Sequence, residues 1–359
     1  MQLSVKKIIS KGLAVKDNIF SNKKYKLSYI VENKDWIVSR IGEKLVECLS
    51  NLGFKQAKTT ITSLGLRNQI IHFGSVHTFL KEKGFKKFHI SNQAVLTWFH
   101  FVAEDKRIKH LLEAQKYLKI IHTSCSITKR NLIDFGVDKN KVLVIPLGVD
   151  LNLFKIVNEQ KKQEIKEALS IPKNVFVIGS FQKDGVGWGD GGEPKLIKGP
   201  DIFVKAVEKI SKNFPVFVLL TGPSRGYIKK ELEKRNIPYK SAGFLDDYKE
   251  VAYYYNALDL YIVASRIEGG PEAIVESMAC GVPLISTNMG MAPDIIIDGE
   301  NGFLAEVENA SEIAQKAMLV FTQTELKEKI IKSSQETIQE YSWEKIAKRY
   351  FDEIYAKLL

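Results

Sequence analysis

The feature that most constrains this chain is a rhythm: short apolar runs alternate with helix-like stretches, twice over, with one lapse between. From Lys26, KLSYIVE reads as a strand, and Ile37 to Leu52 reads as a helix with apolar positions at Ile41, Leu45, Val46 and Leu49. Further strands are predicted at Thr59–Thr62, Gln69–Phe73, Ala94–Phe99, Ile120–Cys125 and Val142–Pro146, with helix-like segments at Val76–Lys83 and Lys106–Leu118 between them. Asn152–Lys162 is polar and patternless. A helix at Gln163–Leu169 restarts the rhythm, and strands follow from Val175 (VFVIGSF) and at Val216–Thr221, Leu258–Ala264 and Val282–Ser286. Apolar strands separated by helices bury both faces of a sheet, which specifies an α/β protein with mostly parallel, doubly wound sheets. A chain of 359 residues is long for one core. The reading is therefore two Rossmann-like domains, 1–155 and 165–340, facing across a cleft at the carboxyl ends of their strands. The tail, 341–359, carries an N-cap at Ser342 and a helical stripe of Trp343, Ile346, Tyr350, Ile354 and Leu358. It is expected to pack back across the cleft toward the first domain.

Charge narrows the partners. Residues 1–150 hold 26 Lys and Arg against 12 Asp and Glu, whereas residues 151–359 hold 27 against 30, so the basic surplus belongs to the first part. It suits an anionic membrane surface or an anionic acceptor, or it is a solvated lysine-rich face. Nucleic acid is not expected, because the lysines are scattered and not interleaved with stacking aromatics. The first 25 residues are lysine-rich and weakly patterned, and carry no assigned role. No apolar run nears the ~20 residues of a membrane span, and MQLSVKKIISKG has no signal-peptide h-region. A cytoplasmic protein is expected, peripheral on the inner face of the membrane if the basic surface docks there. Cys48, Cys125 and Cys280 lack metal spacing and read as reduced and buried.

The chemistry concentrates in Ser265–Gly281, SRIEGGPEAIVESMACG, which follows the apolar run LDLYIVA. Gly269 and Gly270 let a backbone approach a ligand and adopt dihedrals other residues avoid. Pro271 fits the first position of a helix. The amides of such a helix start suit an anion such as a diphosphate. Glu268 in the turn and Glu276 in the helix can face one crevice, and a carboxylate accepts from paired hydroxyls: Glu276 suits a ribose diol, Glu268 a pyranose. A capped helix with two solvated glutamates accounts for the same residues.

This glycine turn, the preceding ALDLYIVASR and the following ACGVPLISTNMG and DGENGFLA resemble the donor domain of the retaining family-4 glycosyltransferases of GT-B fold. KVLVIPLGVDLNLF (Lys141–Phe154), KGPDIFVKA from Lys198 and WEKIAKRY near the end extend the likeness over roughly residues 90 to 359. GSFQKDGVGWGDGGEPKLIKG is similar to bacterial polysaccharide transferases. The resemblance implies transfer of a sugar from a UDP- or GDP-sugar to a glycan or lipid-linked acceptor, with retention and with neither metal nor other cofactor. Under it Glu268 and His100 are catalytic, while Lys183, Lys198, Glu276, Gly269, Gly270, Arg225 and Phe244 hold the nucleotide sugar. Lys198 before Gly199 matches the family's Lys-Gly pair. The family's Arg after the first donor strand is Ser180 here, so Lys183 takes its place, with Arg225 in reserve. His100, in LTWFHF, is set against the sugar or is a structural histidine; His72 is a weaker rival. Backbone groups around Phe244, in AGFL, read the base. The loop Asp184–Gly192 either closes over the diphosphate or is a flexible excursion. A sugar-nucleotide epimerase or hydrolase of the same fold, and a non-catalytic nucleotide-sugar-binding subunit, are the alternatives.

Overall fold

The computed structural model describes residues 2–20, 24–32 and 37–359, without the side chains of residues 2–8. The start of the first predicted domain, Met1, lies outside the described residues. The chain divides into two compact units, one of Met1–Leu147 with Trp343–Leu359 and one of Gly148–Ser342.

The first unit is built on six parallel strands: β1 Leu27–Ile30, β2 Ala57–Thr60, β3 Ile70–Phe73, β4 Gln93–Thr97, β5 Leu118–Thr123 and β6 Val142–Val144. Their order is β2-β1-β3-β4-β5-β6. Ile71, Phe73, Leu96, Trp98, Leu111 and Ile121 fill one face. The helix expected at Val76–Lys83 is a single turn, Val76–Phe79. It stops because Leu80 turns extended and pairs with Phe85 around a turn closed by Lys81 N–H to Gly84 O (2.9 Å). The unpatterned N-terminal stretch contains a helix, Gln2–Phe20, docked where the Asn18 amide donates to Thr62 O and Leu64 O and Asp17 pairs with Lys58 at 2.7 Å.

The C-terminal segment belongs to this first unit. A helix over Trp343–Tyr350 runs into a π turn at Phe351–Tyr355 and lies on the helix Ile37–Asn51, with Phe351 against Phe54 at 5.3 Å between ring centres. A buried chain of hydrogen bonds fastens it to the sheet. Burial lowers the pKa of both imidazoles, and with both neutral the donors and acceptors match. The Tyr355 hydroxyl then donates to His72 Nδ1 (2.7 Å), His72 Nε2 to Thr97 Oγ1 (2.8 Å), Thr97 to His122 Nδ1 (2.9 Å), and His122 Nε2 to Ile145 O (2.8 Å). His72, the rival to His100 for the sugar, is thus a fully buried structural residue.

The second unit has six parallel strands, β7 Phe176–Phe181, β8 Val216–Thr221, β9 Tyr239–Ser241, β10 Leu260–Val263, β11 Leu284–Thr287 and β12 Phe303–Ala305, in the order β12-β11-β10-β7-β8-β9. Strands β9 and β12, absent from the sequence reading, are three-residue edges too short to show a period. The stretch taken as patternless holds the start of a helix, Glu159–Ala168, capped by Asn158 Oδ1 accepting from Lys161 N at 2.8 Å. Only Ile165 of it is buried, so it shows no apolar stripe. Two lysines hold it instead, Lys162 and Lys166, each 2.9 Å from the nine-tenths buried Asp259.

Candidate functional site

The strand order of the second unit locates the site. From β7 the chain winds outward through β8 and β9, returns to β10 beside β7, and winds outward the other way. Connections leaving the carboxyl ends of β7 and β10 therefore diverge, and such a switch point leaves a crevice for a ligand. The residues that follow those strand ends are Gln182 and Lys183 after β7 and Ala264 to Gly270 after β10. A turn of 3₁₀ helix, Leu196–Lys198, is clamped between them: Arg266 N–H donates to Ile197 O (2.8 Å), and the Gln182 side-chain amide donates to Lys198 O (3.0 Å).

This clamp brings Lys198 Nζ to 2.5 Å from Glu268 Oε1, an oxygen that also accepts from Ser265 Oγ at 3.0 Å. The lysine side chain is 17% exposed and the glutamate 5%, so the pair is largely withdrawn from water. Lys195, which the sequence reading missed, opens the same turn. Side chains three apart in a 3₁₀ turn eclipse one another, and Lys198 N–H closes on Lys195 O at 2.8 Å. The spacing K-x-x-K was a visible signal, but only the turn type makes it a pair. Burial, then the like charges of Lys198 and Lys183, pull the Lys195 amine below its ordinary range, with Glu268 opposing. Lys198 thus pairs with Glu268, and the same carboxylate acts on the neighbouring Lys195.

The glycine turn is built differently from expectation. Pro271 is the N-cap, and the helix runs Glu272–Ala279. Neither Gly269 nor Gly270 is in the left-handed region. The tight residue is Gly290 (φ +55°), after β11, where a Cβ would stand 2.7 Å from Gly269 O and 3.0 Å from Glu268 Cβ. Close approach is needed at Gly290, opposite the turn. Glu276 is 5% exposed and accepts from the Tyr255 hydroxyl at 2.8 Å through Oε2. Burial holds that phenol well above its usual range, so it stays a donor. Tyr255 is a positioning residue the sequence did not single out.

Arg225 is not a cation for a ligand. It is 2% exposed; its guanidinium donates to Ser180 O, Gln182 O, Thr221 O and Ser180 Oγ, and its Nε stands 3.1 Å from Asp184 Oδ1. Ser180, which stands in place of the family's arginine, accepts from that guanidinium. Asp184 is wholly buried, and the desolvation that raises its carboxyl is countered by Arg225. From this ion pair springs the glycine-rich loop, tied by backbone hydrogen bonds at several points. Lys195 N–H donates to Asp184 O (2.7 Å), Val186 N–H to Glu193 O (2.9 Å), Gly226 N–H to Asp190 O (2.7 Å) and Tyr227 N–H to Gly191 O (2.8 Å). Lys183 points its amine into this hairpin, 3.0 Å from Gly185 O and 5.1 Å from the centre of the Trp188 ring.

His100 lies three residues beyond β4 in the first unit, exposed, its carbonyl accepting from Trp98 Nε1 at 2.8 Å. Phe244 is 64% exposed beyond β9, where Gly243 O accepts from Gly222 N–H at 2.7 Å. Among the described residues no three His, Cys, Asp or Glu side chains gather as a metal-binding set.

Residues 193–337 match the family model described as Glycosyl transferases group 1. The fold is that of the GT-B glycosyltransferases: Anabaena HepE, solved with UDP and glucose, superposes with a TM-score of 0.72 at 15% identity, covering 92% of this chain and 100% of HepE. Sucrose-phosphate synthase from Thermosynechococcus elongatus also gives 0.72, at 18% identity over 93% of this chain and 99% of that one. An uncharacterized glycosyltransferase of Methanocaldococcus jannaschii is 33% identical over 150 residues, 41% of this chain and 42% of the relative. D-inositol 3-phosphate glycosyltransferase of Paenarthrobacter aurescens is 23% identical over 224 residues, 59% of this chain and 51% of the relative. The chain spans about half the length of the curated relatives it matches. The group 1 match contains Lys195, Lys198, Glu268 and Glu276, and Lys183 lies ten residues before it.

Proposed function

We propose that this protein is a retaining family-4 glycosyltransferase that moves a sugar from a UDP- or GDP-sugar to a glycan or lipid-linked acceptor in cell-surface polysaccharide synthesis, without a metal ion. The observation that carries the reading is the Lys198–Glu268 pair at the switch point, with Lys195 beside it and the start of the helix Glu272–Ala279 following, and Lys183 after β7 is read as a further cation for the diphosphate. A departing nucleoside diphosphate gathers negative charge, and preorganised cations with a helix start stabilise it in the way a metal otherwise would. Glu276, held by Tyr255, receives the ribose hydroxyls, and Glu268 those of the transferred sugar, with His100 from the first unit acting on the same sugar. Support for a uridine nucleotide comes from HepE, whose structures hold UDP and UDP-glucose. Support for retention is the resemblance of the Glu268–Glu276 stretch to retaining enzymes. The basic first unit docks on the anionic inner face of the membrane to meet a lipid-linked acceptor.

The test is to incubate the protein with UDP- and GDP-sugars and a glycolipid extract, with and without EDTA, and follow nucleotide release together with label in the lipid. Release and transfer indifferent to EDTA are expected. Release without transfer would turn the reading to a hydrolase, and no release with any donor would end it.

A further inference from the structure

Trp188 stands at the tip of the glycine-rich hairpin, 59% exposed, and several contacts hold its backbone in place. The Ser224 hydroxyl shares its proton between Gly187 O (3.2 Å) and Gly189 O (3.0 Å), the carbonyls on either side of the tryptophan. Ser224 makes this clamp from φ +58°, a left-handed conformation seldom taken by a residue with a side chain. Next along the hairpin, Gly226 N–H and Tyr227 N–H donate to Asp190 O (2.7 Å) and Gly191 O (2.8 Å). A single exposed apolar side chain is ordinary. One carried on a backbone fixed this fully is a preorganised surface, because little freedom remains to be lost when something lies on it.

Position says what that something is. Under the donor reading, on which this inference rests, Lys183 serves the diphosphate, and its amine stands 5.1 Å from the centre of the Trp188 ring. The charge of Lys183 reaches Lys195, which opens the turn carrying Lys198, so the indole flanks the crevice. Ser224 follows β8, and at the end of the same strand Gly222 N–H donates to Gly243 O (2.7 Å), next to Phe244, where the resemblance places the base. The hairpin tip therefore lies toward β8 and β9, on the base side. A cation and an aromatic ring side by side match the two halves of a nucleoside diphosphate, its phosphates and its base. We propose that Trp188 is a stacking platform for the base of the donor nucleotide. Every base has a π face, so the platform supplies affinity to uridine and guanosine nucleotides alike and leaves the choice between them to hydrogen bonds elsewhere.

The experiment is a calorimetric titration of wild type, Trp188→Ala, Trp188→Phe, Lys183→Met and the double variant Trp188→Ala/Lys183→Met with UDP, GDP and their glucose conjugates, alongside tryptophan fluorescence. Expected is roughly tenfold weaker binding by Trp188→Ala, the scale of one base–aromatic stack, equal for a nucleotide and its conjugate and largely restored in Trp188→Phe. The nucleotide should quench the fluorescence of wild type, and Trp188→Phe should lose that quench while keeping its affinity, a readout that does not depend on the alanine variant folding. In the Lys183→Met background the alanine substitution should weaken binding by the same factor. A loss that vanishes there would mean that the indole only positions the lysine, and would overturn the stack. So would a loss confined to the conjugates, which would put the sugar on the ring, an unchanged affinity in Trp188→Ala, or a quench that survives in Trp188→Phe. If the folded wild type binds none of the four ligands, the donor reading itself falls and this inference with it.

Discussion

At the scale of single residues, two histidines that look catalytic in a list of residue types are instead fixed as neutral donors and acceptors. His72 and His122 are completely buried between Tyr355, Thr97 and the Ile145 carbonyl. Burial, and for His72 also the neighbouring His122, pushes the first well below the ordinary histidine range, and burial lowers the second to about 4. The unfolded chain binds protons on both near its ordinary pKa of about 6.5, so between that value and about 4 the unfolded state carries more protons than the folded one. Stability is therefore full above pH 6.5 and falls as pH drops through the window, with a slope of up to ~1.4 kcal/mol per pH unit for each histidine. Urea midpoints between pH 7.5 and 4.5 should show this decline, and His122→Asn should flatten part of it. A midpoint level across that range would show that the chain of bonds is drawn wrongly. The sequence could not distinguish such a histidine from His100, because the partners that settle its role are up to 283 residues away.

Among elements, the hairpin over Asp184–Gly192 is where sequence reasoning left two outcomes open, a closing lid or a flexible excursion, and in the structure backbone hydrogen bonds join it to Lys195, Gly226 and Tyr227. Five glycines in nine residues suggested freedom. Two of them, Gly185 and Gly191, supply proximity: at Gly191 (φ +79°) a Cβ would lie 2.2 Å from Ser224 O and 2.3 Å from its carbonyl carbon, whereas at Gly189 nothing stands within 4 Å. Gly191→Ala should thus destabilise the second unit by roughly 1–3 kcal/mol through overpacking and backbone strain, and Gly189→Ala should be close to neutral. Chemical denaturation of the two variants checks this; equal stabilities would mean the loop is not seated on Ser224. Most strands were legible because a buried parallel strand announces itself as an apolar run, as VFVLLT at Val216–Thr221 does without any shift of boundary. What stayed hidden was whatever depends on a distant partner: the Arg225–Asp184 pair under the hairpin, Tyr255 on Glu276, and the edge strands YKS and FLA, which are defined by their neighbours. Lys198 and Glu268 were legible as site residues, but not as partners of each other.

For the molecule as a whole, the uneven charge becomes a statement about where it works once the N-terminal helix is added. Its Asn18 side faces the loop Thr62–Leu64, and residues 9, 13, 16 and 20, spaced by four, three and four, share the opposite side. There Ile9, Leu13 and Phe20 are 56%, 63% and 72% exposed, with Lys16 among them. No helix among the described residues is long and apolar enough to cross a membrane, but an apolar stripe with lysines suits a helix lying in the interface. Each lysine near an anionic surface contributes about 1 kcal/mol, and the surplus in residues 1–150 provides many. Salt shortens the reach of that attraction to about 10 Å at 0.1 M and about 3 Å at 1 M. Flotation with phosphatidylglycerol vesicles should therefore recover the protein at low salt and lose most of it at high salt, while phosphatidylcholine vesicles recover little. The double variant Leu13→Glu/Phe20→Glu should lower recovery at low salt several-fold without altering nucleotide affinity, since neither residue lies in the second unit, where nucleotide binding is proposed. Recovery indifferent to lipid charge would leave the lysines as a solvated surface, and binding unaffected by the double variant would move the contact off this helix.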